Sequence, residues 1–357
     1  MPPVQRSNPA AGKGRPDEMR IERPDYYSKF TCIADKCGDT CCRGWEVDID
    51  DDANEYYQIA PGEFAKEVRA SIREEETEDG PARFFPLTAE GNCPFLDKTG
   101  LCRIILHMGE GALCTTCREY PRYYIEAGDY SQQDLSLSCP AVAEIFFAED
   151  GPISYTLTED EGAEDTLSED EKQRLQTILA ARDQKVKDIQ SKPFAWELAA
   201  PRRRAAAGAF AAALGTDSGA AGEVDVALLS ALQRCEPIGA GWSEQLSMLQ
   251  QLIQDESHLD TLTGEFIACA GEKAQGWFRR LQVYFLWRYS IDEWFEERET
   301  AEVLCRRSLR AVFLLCLLRF ETKGQFDAED MADIAHSYSR EIEHDEKNLE
   351  IMKGASC

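Results

Sequence analysis

The spacing of apolar positions divides the chain into a short-period first part and a helical second part. Up to about Phe147, apolar residues come in short runs cut by turn formers. Ala82 to Thr88 and Tyr123 to Ser138 are predicted as short strands, the second stretch turning at Ala127-Gly128-Asp129. Asp97-Lys98-Thr99-Gly100 predicts a turn, and Leu101 to Gly109 a short helix. The acidic run Glu74 to Asp79 is expected as a solvated loop or helix end. From Ser168 the period becomes helical. Ser168 and Glu171 have capping-box spacing, and Leu175, Ile178, Leu179 and Val186 follow on one face. Pro201, Arg202-Arg203-Arg204 and an alanine-rich run open a further helix ending near Gly215, its arginines read as a solvated face; a flexible loop is expected over Thr216 to Gly222. Trp277 to Trp294 and Ala301 to Phe320 are the most apolar helices and are assigned to the core. One last helix is drawn from Asp327 to Met352, with an apolar stripe of Met331, Ile334, Tyr338, Ile342 and Leu349.

The implied fold class is α+β. A disordered tail (1–25), rich in Pro, Gly and charge, precedes a loop-rich cysteine domain with short strands (26–150). An acidic linker (151–167) then leads to a mainly α-helical domain (168–357). No internal repeat is visible.

The length of 357 residues suits one large or two ordinary domains. No apolar run approaches the roughly 20 residues of a membrane span; the longest, Ala311 to Leu318, is bounded by Arg310 and Arg319. The first residues lack an apolar signal-peptide stretch, so a cytoplasmic location is expected. A net charge of −27 disfavours nucleic acid as a partner and favours a basic or lysine-bearing protein, although acidity also serves solubility alone.

Of the 14 cysteines, those between Cys32 and Cys139 fall in four groups. They are Cys32-x4-Cys37-x3-Cys41-Cys42 followed by Arg43-Gly44-Trp45, Cys93-Pro94 with Cys102, Cys114-x2-Cys117, and Cys139-Pro140. In a reducing compartment such spacings point to metal, because short loops bring soft thiolates together with little entropy loss. Four thiolates suit tetrahedral zinc or a [4Fe–4S] cluster, and spacing alone does not choose between them. A zinc-stabilised protein-interaction module without catalysis satisfies the same pattern. A redox or metal-delivery protein using the thiols directly is a third reading. Cys305 and Cys316, on apolar helices, read as small core residues, and Cys235, Cys269 and Cys357 are not assigned as ligands.

At CIADKCGDTCCRGW, GNCPFLDKTGLC, TTCREYPR and LSLSCP the sequence resembles the flagellin lysine-N-methylase family, part of a wider group with a zinc- or iron-chelating cysteine domain. The likeness continues through VYFLWRYSIDEW and YSREIEHDEKNLE. The resemblance implies transfer of methyl groups from S-adenosyl-L-methionine to flagellin lysines, with a [4Fe–4S] cluster. Its cysteine pattern maps onto Cys32, Cys37, Cys41, Cys42, Cys93, Cys102, Cys117 and Cys139. Cys114 departs from that pattern and is left out as a spare thiol. These matched thiols exceed one cluster's four, so some are structural or a second metal is present.

Lysine methylation needs a neutral amine aligned with the donor's methyl group. No Gly-rich loop follows a clear strand with an acidic partner downstream, so the common nucleotide-type donor fold is not visible. An iron with three cysteine ligands has an open position for the donor's amino and carboxylate groups. The radical-enzyme spacing Cys-x3-Cys-x2-Cys is absent. Glu341, His344 and Tyr338 are the candidates for handling the amine, against the plainer reading of a core tyrosine and surface ion pairs with Arg340 and Asp345. Trp45, Arg118 and Arg122 are candidates for holding the donor, though Arg122 also suits a loop cap.

Overall fold

The computed structural model describes residues 18–77, 80–161, 167–200, 221–296 and 300–354. The helix expected over Pro201 to Gly215 lies outside these residues, as does most of the loop expected at Thr216 to Gly222. Among them the strands are β1 (Glu18–Pro24), β2 (Val47–Asp48), β3 (Arg73–Thr77), β4 (Gly80–Phe85), β5 (Arg122–Ala127), β6 (Tyr130–Leu135) and β7 (Tyr155–Glu161).

The hairpin expected at Ala127-Gly128-Asp129 forms, with Ala127 opposite Tyr130 and Gly128 at φ 60°. It seeds a four-stranded sheet in the order β5-β6-β1-β7. β1 runs parallel to β6 and antiparallel to β7, Ile21 facing Ser131 on one side and Thr158 on the other. Two expectations are thereby corrected. Residues 18–24 are a strand, not a disordered tail, and the acidic linker contains β7. Local composition hides both, because what fixes them is backbone pairing across more than a hundred residues. Their charges are paired too: Arg20 holds the turn residue Asp129 at 2.9 and 3.0 Å, and Arg23 donates to Gln133 at 2.8 Å.

The central strand β6 is buried along its whole length although it carries Ser131, Gln132, Gln133 and Asp134. These polar groups are met from above. Arg182, on helix Glu169–Gln190, donates to Gln132 and Tyr130, and Tyr26 donates to Asp134 at 2.6 Å. Burial pushes the Asp134 carboxyl up to about 6 against the opposing charge of Arg288.

A second sheet, β2-β4-β3, corrects the acidic run at Glu74: β3 is an exposed edge strand, Glu75 opposite Ala82. A row of glutamates has no apolar period, so only pairing with β4 and the bridges from Arg83 to Glu74 and Asp51, both 2.6 Å, define it. The turn at Asp97 is as expected, its carboxylate accepting from Thr99 and Leu101, and the helix that follows is Arg103–Met108.

The helical part contains Ala221–Arg234, Ala240–Gln254, Glu256–Tyr289, Ala301–Lys323 and Ala328–Ile342. Glu256–Tyr289 breaks at Gly271, which takes φ 63°, ψ −151°. The capping box at Ser168 forms in full. The single last helix is corrected to two, Ala328–Ile342 and Glu346–Lys353. Asp345 accepts from Lys347 at 2.6 Å and starts a new helix, and Asn348 takes the freed carbonyl of Glu341 at 3.0 Å. No helix among the described residues is long and apolar enough to cross a membrane.

Three hydrophobic clusters result, one of them gathering Ile125, Leu175 and Ile291 between β5 and the helices. The main one joins the helices to Tyr26, Leu135, Leu137, Cys139 and helix Pro140–Phe147. Cys305 and Cys316 are buried in it, as expected. A small one gathers Val47, Tyr57, Val68, Phe85, Phe95 and Ile104 around Cys93 and Cys114. Inside the main core Arg310 makes a two-pronged ion pair with Asp225, 2.8 and 2.6 Å, and donates to Ala199 O at 2.7 Å. Arg310→Ala strands a buried carboxylate and is expected to lower unfolding free energy by about 3–5 kcal/mol in urea titration. The Arg310→Ala/Asp225→Ala double variant is expected to lose clearly less than the sum of the two single changes.

Candidate functional site

The cysteines gather where the main core and the small core meet. Cys41 lies within electrostatic reach of Cys139 and Cys32, and Cys139 within reach of Cys37 and Cys32. Cys93 and Cys102 reach Cys42 and Cys114, and Cys117 reaches Cys114, Cys42 and Cys41. The adjacent pair Cys41-Cys42 links these neighbourhoods, their thiols hydrogen-bonding each other. Cys114, set aside on the family pattern, is 1% exposed, and its sulfur accepts a hydrogen bond from the free Cys117 thiol.

The sulfurs are met by backbone amides. Cys139 takes Val142 and Ala141, Cys93 takes Phe95, and Cys102 takes Ile105 and Ile104. Burial dominates even so, pushing Cys93 up to about 12 and Cys139 up to about 11, so without metal these groups hold protons. No three His, Cys, Asp or Glu side chains among the described residues close on one point as a single ion requires. Thiols gathered from four chain segments and met by amides suit a thiolate-bound metal or cluster.

One arginine ties the cysteine loop to the helical part. Arg340, on helix Ala328–Ile342, donates to Thr40 O (3.2 Å) and Arg43 O (2.6 Å), and pairs with Asp39 at 3.1 Å. Its guanidinium lies 4.8 Å over the ring of Trp45. The backbone at Gly44 takes φ 91°, and a Cβ there would run into Ile238. The Arg43-Gly44-Trp45 run thus answers a close approach between the two parts of the chain.

Beside this junction lies a cleft of about 940 Å³. Gly38, Asp39, Arg43 and Pro140 form its cysteine-side wall; His336, Arg340 and Glu341 face them. His336 Nε2 lies 3.0 Å from Asp39 Oδ2, and its buried Nδ1 has no partner. Burial opposes ionisation of Asp39, but the His336 hydrogen bond and the Arg340 charge outweigh it and hold its carboxyl below the usual range. Glu144, Glu329 and Asp333 are exposed along the cleft.

The residues singled out in the sequence fare unequally. Glu341 reaches the cleft, yet its carboxylate accepts Ile238 N (2.7 Å) and Gly239 N (3.1 Å), clamping the start of helix Ala240–Gln254. Tyr338 is in the core and donates to Ser308 at 2.8 Å. His344 stacks near Trp45, with 6.4 Å between ring centroids. Arg118 is exposed beside Glu119, and Arg122 lies over Phe30. Trp45 is at the junction, between Tyr120, His344 and Arg340. Asp39 and His336 escaped the sequence reading. His336 and Arg340 are four residues apart on one helix face, which was the available signal.

Gly44→Ala is expected to cost about 2 kcal/mol or more and to loosen the junction, read as faster hydrogen exchange at Thr40–Trp45. Burial lowers His344 to about 4, below its ordinary 6.5. The neutral ring therefore contributes stability that is complete above pH 6.5 and is lost as pH falls towards about 4. An NMR titration of His344 with a midpoint near 6.5 would contradict this.

The comparisons with known proteins concern the helical part. Residues 227–355 match the family described as FliB lysine N-methylase C-terminal domain. Over 129 residues the chain is 28% identical to the lysine-N-methylase of Salmonella typhimurium and 30% to that of Salmonella choleraesuis. In each case the match covers 35% of this chain and 32% of the relative. It is also 28% identical over 129 residues to the flagellar biosynthetic protein FliU of Salmonella muenchen, covering 75% of that protein. The match thus spans about a third of the two lysine-N-methylases. No solved structure matches the chain. The family match contains helix Ala328–Ile342, and so the residues that face the cysteine loop across the cleft. Through this C-terminal region the chain is similar to the lysine N-methylase family that its motifs resemble.

Proposed function

We propose that the protein methylates lysine side chains of flagellin with S-adenosyl-L-methionine as donor, in the cleft between the cysteine loop and helix Ala328–Ile342, beside a [4Fe–4S] cluster on Cys32, Cys37, Cys41 and Cys139. The observation that carries this reading is the cleft itself. Its volume of about 940 Å³ suits a donor and a lysine side chain together, and one wall is the Gly38–Asp39 loop between two of the cysteines. The opposite wall belongs to the stretch matched by the lysine N-methylase family. The names of the relatives, lysine-N-methylase and flagellar biosynthetic protein, support the reaction and the substrate.

The cleft's side chains suit the task. Glu144, Glu329 and Asp333 draw a cationic lysine towards the mouth. The amine must lose its proton before it attacks, and His336, oriented by Asp39, is the group placed to take it. The amine's lone pair then forms the new N–C bond as the methyl–sulfur bond breaks, its electron pair staying on sulfur. Arg43, exposed on the cleft wall, offers positive charge for the donor's carboxylate. Were only three of those four thiols on iron, the cluster would add a chelating position for the donor's amino and carboxylate groups.

The test is methylation of flagellin by the anaerobically purified chain, read by mass spectrometry of lysine peptides. His336→Gln is expected to lower kcat by about 100-fold or more with flagellin binding unchanged. Glu144→Gln/Glu329→Gln is expected to raise KM a few-fold and to flatten its salt dependence. A folded, metal-loaded protein that leaves flagellin lysines unmodified rejects the proposal.

A further inference from the structure

We propose that Asp134, Arg288 and Glu343 form a closed proton-binding chamber, which takes up a proton on the acid side of neutrality and so offsets the stability that acidification removes at His344. The inference is independent of the methylation and of any metal on the cysteines.

The first ground is a charge count in a place closed to solvent. The side chains of Asp134, Arg288 and Glu343 are 0%, 3% and 1% exposed. They meet between β6, helix Glu256–Tyr289 and the end of helix Ala328–Ile342. Two carboxylates thus share one guanidinium, which lies 3.5 Å from Glu343 Oε2 and 3.9 Å from Asp134 Oδ2, the latter beyond a hydrogen bond. The groups around the chamber supply no further positive charge. Tyr26, after β1, donates to Asp134 Oδ1 at 2.6 Å, and Tyr284 and Tyr289 each donate to Glu343 Oε2 at 2.8 Å. Tyr123 on β5 lies under the guanidinium, 3.9 Å from ring centre to carbon, and Tyr155 on β7 is within electrostatic reach of Asp134. Arg182 is committed to Glu22 and Gln132, and Arg280 to the carbonyls of Phe146 and Gly151. An uncompensated charge in such a place is costly, and binding a proton removes it.

The second ground is a position for that proton. Asp134 Oδ1 accepts from both Tyr26 and Leu135 N, the latter at 2.7 Å, whereas its buried Oδ2 has no hydrogen-bond partner. Burial, against the charge of Arg288, holds this carboxyl up at about 6. The third ground is where the chamber acts. Tyr284 ties it to the stretch before Cys139, its hydroxyl accepting Leu137 N at 3.4 Å, and Glu343 is followed at once by His344 beside Trp45. The two proton linkages at this junction have opposite signs. The raised Asp134 carboxyl contributes stability that is complete below its ordinary 3.8 and is lost as pH rises through about 6. The neutral His344 ring contributes stability that is complete above 6.5 and is lost as pH falls towards about 4. Over nearly the same window, a gain at Asp134 runs against a loss at His344.

The test is urea unfolding of the full chain over a pH series beside Asp134→Asn, which keeps the side chain's shape but cannot bind the proton. The ratio of folding constants, parent over variant, is expected to rise about tenfold for each pH unit as pH falls from about 6 towards 3.8. The variant's urea midpoint then drops more steeply with acidification than the parent's. A loss of equal size at every pH, which a purely packing role gives, overturns the inference. Infrared difference spectra of the parent, isotope-labelled at its aspartate carboxyls, serve even where the variant does not fold. A label-shifted band of a protonated, desolvated carboxyl is expected to grow with a midpoint near 6, and its absence overturns the inference. Glu343→Gln leaves one carboxylate to one guanidinium and is expected to lower that midpoint by about one pH unit or more. A midpoint that does not move overturns the charge count and the chamber with it.

Discussion

Arg340 is the contact on which the arrangement of the molecule depends. Its guanidinium is buried, yet nearly every direction it offers is used by the cysteine loop: the carbonyls of Thr40 and Arg43, the carboxylate of Asp39 and the face of Trp45. A charge this deep is tolerated only because those partners replace water. Its demands reach outwards. The loop must turn at Gly44, where a side chain would strike Ile238, and Ile238 is held in turn by the carboxylate of Glu341. Asp39, drawn inwards by Arg340, is the residue that meets His336. The cleft is therefore a consequence of how one arginine is satisfied.

The same logic of satisfied burial explains the sheet. A strand reading Tyr-Ser-Gln-Gln-Asp-Leu would ordinarily face water on one side, but β6 is covered on both. It survives there because Arg182, Tyr26 and the backbone of Arg288 supply partners for its polar side chains. Cys139 follows directly, opening helix Pro140–Phe147, so the polar strand and its network set the position of one of the cysteine thiols.

Much of this was legible in the residues. The hairpin at Gly128, the turn at Asp97, the capping box at Ser168 and the apolar helices around Trp287 and Phe313 are local signals, and each forms where its signal lies. β1, β3 and β7 were not legible, because their glutamates and arginines look solvated until a distant partner strand is known. The candidates Glu341, His344 and Tyr338 were chosen by spacing on one helix. Spacing cannot tell that two backbone amides already occupy Glu341 or that Tyr338 points into the core.

By itself the sequence determined that soft thiols are concentrated before Cys139, that an acidic, mainly helical part follows, and which family the motifs resemble. These are properties of composition and of contacts a few residues long. Only the tertiary structure decided that Cys114 is buried against Cys117 and that Asp39 meets His336. Asp39 and His336 lie almost three hundred residues apart, and no local pattern encodes such a meeting. It follows from two cores packing against each other with Arg340 buried between them.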